Sequence, residues 1–235
     1  MSAEIKSVAA NVERVRERIA RAAERARRSP EEVTLVAVSK TFPAAAIREG
    51  YAAGLRHFGE NRVQEWEAKH AQVADLDATW HLVGHLQSNK TRRAARLFHA
   101  VDSLDSVSIA GKLNDAAADA GGSRLEVLLE ARLSPEETKT GVSEAELPQL
   151  ADAVLALPHL DLRGLMTIPP FFDDPEKARP YFRKLRKLRD ELGDRLGRAL
   201  TELSMGMSHD FEVAIEEGAT QIRLGTALFG ERRSQ

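Results

Sequence analysis

TLVAVSK, residues 34–40, is a run of β-branched and apolar residues that ends on a lysine. Residues 34–39 read as a strand of a sheet covered on both faces, since an apolar run without polar alternation suits a buried parallel sheet. Lys40 then stands at the strand's carboxyl end, where an ammonium group is costly to bury unless its nitrogen is put to use. Outward from this stretch, short apolar runs alternate with longer helical patterns along most of the chain. The further strand signals are HFGE (57–60), WHLVG (80–84), 100–103, 125–131, LRGLMTI (162–168), 203–205 and QIRLG (221–225). Helical patterns cover 43–53, 62–70, a stretch after Ser88, 175–192 and 211–217. Eight strands separated by helices are the pattern of a (β/α)8 TIM barrel, whose usual length of about 250 residues is close to this chain's; an open doubly wound sheet is the competing arrangement. Residues 1–235 are expected to form one domain, with a packing helix within 1–30 and a short tail at 231–235.

Closure of a barrel makes the eighth strand a neighbour of the first, which sets Lys40 beside Gly225. The loop SMGMSHD (204–210) combines Gly206 with the hydroxyls of Ser204 and Ser208, just ahead of a helix. In RLGTALFG (223–230), Gly225 permits close backbone approach and Thr226 adds a hydroxyl and an N–H. The loops after strands seven and eight are where such barrels frequently hold phosphate. A lysine next to a phosphate pocket can clamp the anion, or its amine can condense with a carbonyl whose phosphate sits in the neighbouring loops. An amine partly withdrawn from water loses some of its preference for the charged form, which favours the second use. Pyridoxal 5′-phosphate carries both handles, an aldehyde and a phosphate across one ring.

The bulk numbers narrow the function classes. A formal net charge of -2 gives no electrostatic footprint for nucleic acid. The absence of cysteine excludes disulfides, a thiolate nucleophile and a Cys-based zinc site. No apolar run approaches the length of a membrane span, and the N-terminal residues are too charged for a secretory signal, so the expectation is a cytoplasmic protein. Ile5, Val8, Val12, Val15 and Ile19 recur at steps of three and four, forming one stripe of a helix expected to cover the protein's own core, with a short partner-binding coiled coil as the alternative.

AVSKTFP (37–43), HFGENRVQE (57–65), WHLVGHLQSNK (80–90), GLMTIPP (164–170), SMGMSHDFEVAI (204–215) and RLGTALFG (223–230) closely resemble the pyridoxal-phosphate homeostasis protein family. The resemblance spans nearly the whole chain. It implies a barrel of the alanine-racemase type, usually monomeric, with Lys40 matching the lysine that holds pyridoxal 5′-phosphate as an internal aldimine. By the same match Ser204, Ser208, Gly225 and Thr226 fall in phosphate-binding segments, with the choice between the two serines open. Arg223 falls where the family's arginine approaches the pyridine nitrogen, Asn61 matches a residue near the ring, and Met166 is placed against the ring's face or in the core. A cation facing the ring nitrogen disfavours its protonation and weakens the ring as an electron sink. Arg223 and Gly225 share strand parity, consistent with both facing the ligand.

The resemblance also implies a role in binding, carrying and releasing the cofactor, with pyridoxal-phosphate-dependent apoenzymes as recipients and no robust turnover. A two-base racemase needs a second proton donor opposite the lysine, which alanine racemases supply as a tyrosine from an additional domain of a partner subunit. Here Tyr51 and Tyr181 both fall within helical patterns. A racemase-like enzyme is the alternative reading, and an aldolase acting directly on a sugar phosphate is a third. GHLQSNKT (84–91) approaches a P-loop, but Asn89 occupies the second glycine position. Lys90, Arg92, Arg93 and Arg96 read as a solvated helix face. His81 and His85 share parity without a third ligand at recognisable spacing, so no metal is expected.

Overall fold

The computed structural model describes residues 7–134 and 140–230. The strands are β1 (Thr34–Val38), β2 (His57–Glu60), β3 (Thr79–Leu82), β4 (Ala100–Leu104), β5 (Leu125–Glu130), β6 (Leu160–Met166), β7 (Glu202–Ser204) and β8 (Gln221–Leu224). The helices are α1 (Val8–Arg25), α2 (Ala44–Ala52), α3 (Val63–His70), α4 (Thr91–Leu97), α5 (Val107–Ala120), α6 (Leu147–Leu155), α7 (Arg179–Leu196), α8 (Phe211–Glu216) and α9 (Thr226–Phe229). All eight strands pair in parallel with their neighbours in order, and β1 closes the barrel on β8. The expected (β/α)8 fold with a preceding helix is therefore present, and the open sheet is not. The proposed tail at 231–235 lies outside the described residues.

Strand alternation divides the interior into two environments. Outward-facing Phe58, Trp80 and Leu82 of the sheet meet Trp66 of α3 in the main apolar core, where helices cover the sheet; Trp66 and Trp80 rings lie 4.1 Å apart and Phe58 and Trp80 rings 5.2 Å. A small separate cluster of Val36, Val38 and Val83 fills part of the barrel axis. The rest of that axis is polar: buried His81, Asp102, Gln221 and Arg223 sit on strands that present their next residues to the helices.

α1 begins at Ser7, whose side chain accepts from Ala10 N, and buries the stripe of Val12, Val15 and Ile19. It seals the last two β/α units. Asn11 Nδ2 donates to Leu228 O at 2.8 Å, Arg18 pairs with Glu212 at 2.8 Å, and Arg28 Nη1 donates to the carbonyls of Ile215 and Ala219.

Several ends differ from the sequence reading. β3 stops at Leu82 rather than Gly84, so His85 lies in a loop and does not share a strand face with His81. β6 spans 160–166 rather than 162–168, because Thr167 makes the last β7 hydrogen bond before Pro169 and Pro170 carry the chain away without donors. β7 spans 202–204 rather than 203–205, and the helix after Ser88 starts at Thr91 behind a 3₁₀ turn. No helix among the described residues is long and apolar enough to cross a membrane.

Candidate functional site

The carboxyl ends of the strands surround a cavity of about 520 Å³, lined by residues that include Lys40, Asn61, Glu130, Ser208, Arg223, Gly225 and Thr226. A larger groove of about 920 Å³ lies at the opposite end of the barrel and holds none of these residues. The smaller cavity is the relevant one, since chemistry in this fold is built at the strands' carboxyl ends.

The β1–β8 register, Val36 with Arg223 and Ala37 with Leu224, sets Val38 alongside Gly225 when continued. A Cβ on residue 225 would come within 3.3 Å of Val38 O, so the small residue keeps that junction open. Lys40 follows in the turn after β1 and is half-buried at the cavity wall. Gly206 turns the chain after β7 with φ 95°, a left-handed conformation that disfavours side chains; a Cβ there would lie 2.6 Å from Ala214 Cβ. Its carbonyl accepts from Arg223 N at 3.0 Å. Ser208 Oγ accepts from Ala227 N at 3.2 Å, tying the loop after β7 to the first turn of α9.

Arg223 is 4% exposed and lies beneath this arrangement. Its Nη1 donates to Ser204 Oγ at 2.6 Å and its Nη2 to Thr167 O at 2.9 Å. Burial pushes the guanidinium's pKa down from its usual value, opposed by the charges of Asp102, Glu130 and Asp210. Burial raises Glu130, against a 2.6 Å hydrogen bond from Thr140 Oγ1. It also raises Asp210, against the Met207 N–H that Asp210 Oδ1 accepts at 2.6 Å. The guanidinium is thus held by neutral acceptors, with carboxylates acting on it through space.

Six of the eight residues singled out in the sequence meet at the cavity: Lys40, Asn61, Ser208, Arg223, Gly225 and Thr226. Ser204 and Met166 do not line it. Both are fully buried, Ser204 as the acceptor for Arg223 and Met166 at the end of β6, paired with Ser204 in the sheet register. Ile168, two residues beyond Met166, supplies lining instead. Sequence reasoning missed Glu130, at the end of β5, and Phe42, Thr140, Ile168, Phe171 and His209, whose approach depends on how separate loops fold over the rim. His85 faces the cavity too and meets Asp105 at 3.0 Å. Among the described residues no cluster of three or more His, Cys, Asp or Glu could hold a metal ion.

The donor set fits pyridoxal 5′-phosphate. An amine stands at one wall and hydroxyl and glycine backbone at the β7–β8 end, with apolar Val38, Val83 and Ile168 also lining it, in a volume ordinary for small-ligand sites.

The family described as alanine racemase, N-terminal domain, matches residues 10–233. The chain is 49% identical over 220 residues to the pyridoxal phosphate homeostasis protein of Aquifex aeolicus, covering 94% of this chain and 96% of that protein. PipY of Synechococcus elongatus, in its structure with PLP bound, superimposes with a TM-score of 0.82 at 44% identity, over 92% of this chain and 100% of PipY. Alanine racemase of Clostridium difficile shares the fold, with a TM-score of 0.75 at 16% identity, over 98% of this chain and 58% of the racemase. Fold and site together define a barrel of the alanine-racemase N-terminal type. Within that class, the chain belongs to the pyridoxal phosphate homeostasis protein family.

Proposed function

We propose that this protein binds pyridoxal 5′-phosphate covalently through Lys40 and works in intracellular cofactor homeostasis, without robust turnover. The observation that carries this reading is the meeting of the Lys40 amine with Ser208, Gly225, Thr226 and Arg223 around one cavity. When bound, the cofactor supplies an aldehyde that condenses with an amine, releasing water. Ser208, Gly225 and Thr226 take the phosphate; Ser204 acts from below by orienting Arg223. Arg223, lining the cavity, would present a cation to the ring nitrogen and disfavour its protonation. Asn61, at the cavity wall, would border the ring, and Met166 supports the wall from within the core.

Tyr51 lies on α2 with the Arg56 guanidinium 3.9 Å from its ring centre, and Tyr181 on α7 packs 5.8 Å from Phe172. Neither is among the cavity's lining residues, which supports a site without a racemase's second proton donor from this chain. The reading includes a monomer in the cytoplasm that releases cofactor to pyridoxal-phosphate-dependent apoenzymes.

The visible spectrum of protein loaded with pyridoxal 5′-phosphate, followed by borohydride reduction and mass mapping, tests the linkage. The added mass should fall on Lys40, and a Lys40→Ala variant should lose it. An unchanged covalent adduct in that variant overturns the assignment. Solvent-deuterium uptake at Cα across a panel of amino acids tests turnover, and uptake at ordinary enzyme rates would replace homeostasis with the racemase-like alternative.

A further inference from the structure

Lys40 sits in a four-residue turn, 39–42, whose geometry is not one its residues choose unaided. Thr41 has φ 67°, in the left-handed region where a β-branched residue persists only if its surroundings enforce it. The enforcing groups come from α3 and β2. Lys69 Nζ donates to Ser39 O at 2.9 Å and to Phe42 O at 3.1 Å, gripping the chain on both sides of Lys40. Glu65, one turn earlier on α3, accepts from Thr41 N–H. Glu60 at the end of β2 completes the set: its Oε1 lies 2.7 Å from Lys69 Nζ and accepts from Ser39 Oγ at 2.6 Å.

This ion pair is buried, with Glu60 0% and Lys69 8% exposed. Glu60 Oε2 has no hydrogen-bond partner among the described residues. Two apolar side chains of similar volume would satisfy packing between the sheet and α3 at lower desolvation cost. What they could not supply is one donor for two carbonyls in a turn that has left the sheet. An amine on a four-carbon stem already samples many rotamers, and letting its backbone wander as well dilutes it at the point where it must meet an aldehyde.

We infer that Lys69, with Glu60 and Glu65, is a positioning residue that locks the 39–42 turn so that the Lys40 amine is presented to the cavity. The inference rests on the assignment of Lys40 as the reacting amine.

The test uses full-length protein in three variants. Lys69→Met removes the grip, Lys69→Met with Glu60→Gln removes it without stranding a carboxylate, and Glu65→Ala releases the Thr41 N–H and a 3.9 Å contact with Lys69 while leaving the Lys69 grip on the two carbonyls. Pyridoxine 5′-phosphate, which has the ring and phosphate but no aldehyde, reports on the cavity apart from the amine. In the paired variant its affinity should stay within about twofold of wild type, while the concentration of pyridoxal 5′-phosphate that half-saturates borohydride trapping at Lys40 rises about tenfold or more. Glu65→Ala should show a smaller rise of about threefold. Amide hydrogen exchange in the segment around 39–42 should quicken in the cofactor-free variants. Wild-type trapping and exchange in the paired variant overturn the inference, and if that variant does not fold, unchanged trapping and exchange in Glu65→Ala do so. Failure of wild-type protein to trap at Lys40 would count against the proposed function instead, with exchange at 39–42 still deciding whether Lys69 holds the turn.

Discussion

At the scale of single residues, the Lys69–Glu60 pair carries a pH signature separate from ligand binding. Burial raises the pKa of Glu60, and its attraction to Lys69, with the hydrogen bonds from Lys69 and Ser39, pulls it back. Lys69→Met removes the largest opposing influence, so the folded-state pKa rises further above the unfolded value. A group raised in this way contributes stability in full below its unfolded pKa and loses it as pH climbs through the folded pKa. The deficit of Lys69→Met relative to wild type should therefore widen as the pH climbs past the wild-type folded pKa of Glu60, itself above the ordinary 4.5, towards the ~3–5 kcal/mol typical of breaking a buried pair. In the paired variant with Glu60→Gln, the widening should vanish. Melting curves from pH 4.5 to 8 check this, and a pH-independent deficit would show that Glu60 is not the group left stranded. Lys40 was readable from the sequence because a lysine ending an apolar strand is conspicuous. Lys69 was not, because its use depends on α3 crossing the turn after β1, two elements that the parallel pairing of β1 with β2 brings together. The two serines separate for a similar reason: Ser204 still belongs to the strand and faces Arg223, whereas Ser208 lies beyond Gly206 on the cavity wall.

At the scale of elements, the strands that carry the site were legible and their limits less so. Strand runs ending in Ser39, Glu60, Gly84 or Met205 mark where the chain leaves the sheet only to within two residues, since the loop continues to pack after the ladder hydrogen bonds cease. The periodicity reading places no helix over 107–120 or 147–155, where α5 and α6 run. α5 is rich in alanine, which favours a helix without tracing a sharp apolar stripe. Nor does periodicity reveal how closely two strands approach. At Gly164 on β6, a Cβ would stand 1.9 Å from the backbone oxygen of Glu202 on β7. That neighbour is main chain in the ladder that leads to Ser204, so a methyl group cannot be absorbed by a rotamer change. Gly164→Ala should cost about 3 kcal/mol or more, and by displacing β7 it should weaken pyridoxine 5′-phosphate binding in the variant that still folds at low temperature. Thermal melting checks the first part and ligand titration the second; a melt within experimental scatter of wild type would mean that β6 and β7 can part without loss.

At the scale of the whole molecule, the barrel axis is a polar column with the candidate site at one end and histidines at the other. His57 Nδ1 lies 3.0 Å from His81 Nε2, and His81 Nδ1 lies 3.3 Å from Asp102 Oδ1, so Asp102 accepts from His81, which in turn accepts from His57 when both rings are neutral. Burial and the neighbouring His81 lower the pKa of His57 to about 4, with Asp102 and Glu202 pulling the other way. The unfolded chain takes up a proton on this ring near its ordinary 6.5, whereas the folded chain resists until about 4. Between those values the unfolded state binds more protons, so the contribution of His57 to stability is present above 6.5 and is lost as the pH falls towards 4. The ring is partly open to solvent, which screens the effect to the order of 1–2 kcal/mol. Glu60, Glu130 and Asp210, raised by burial, act in the opposite sense over the same range, so the wild-type curve alone mixes the two. The difference between wild type and His57→Gln isolates the imidazole. That difference should be constant above pH 7 and shift in favour of the variant by about that amount as the pH falls to 4, measured by denaturant unfolding at each pH. Parallel curves across the window would mean that His57 titrates alike folded and unfolded, and that water enters the floor of the barrel far more freely than its packing implies.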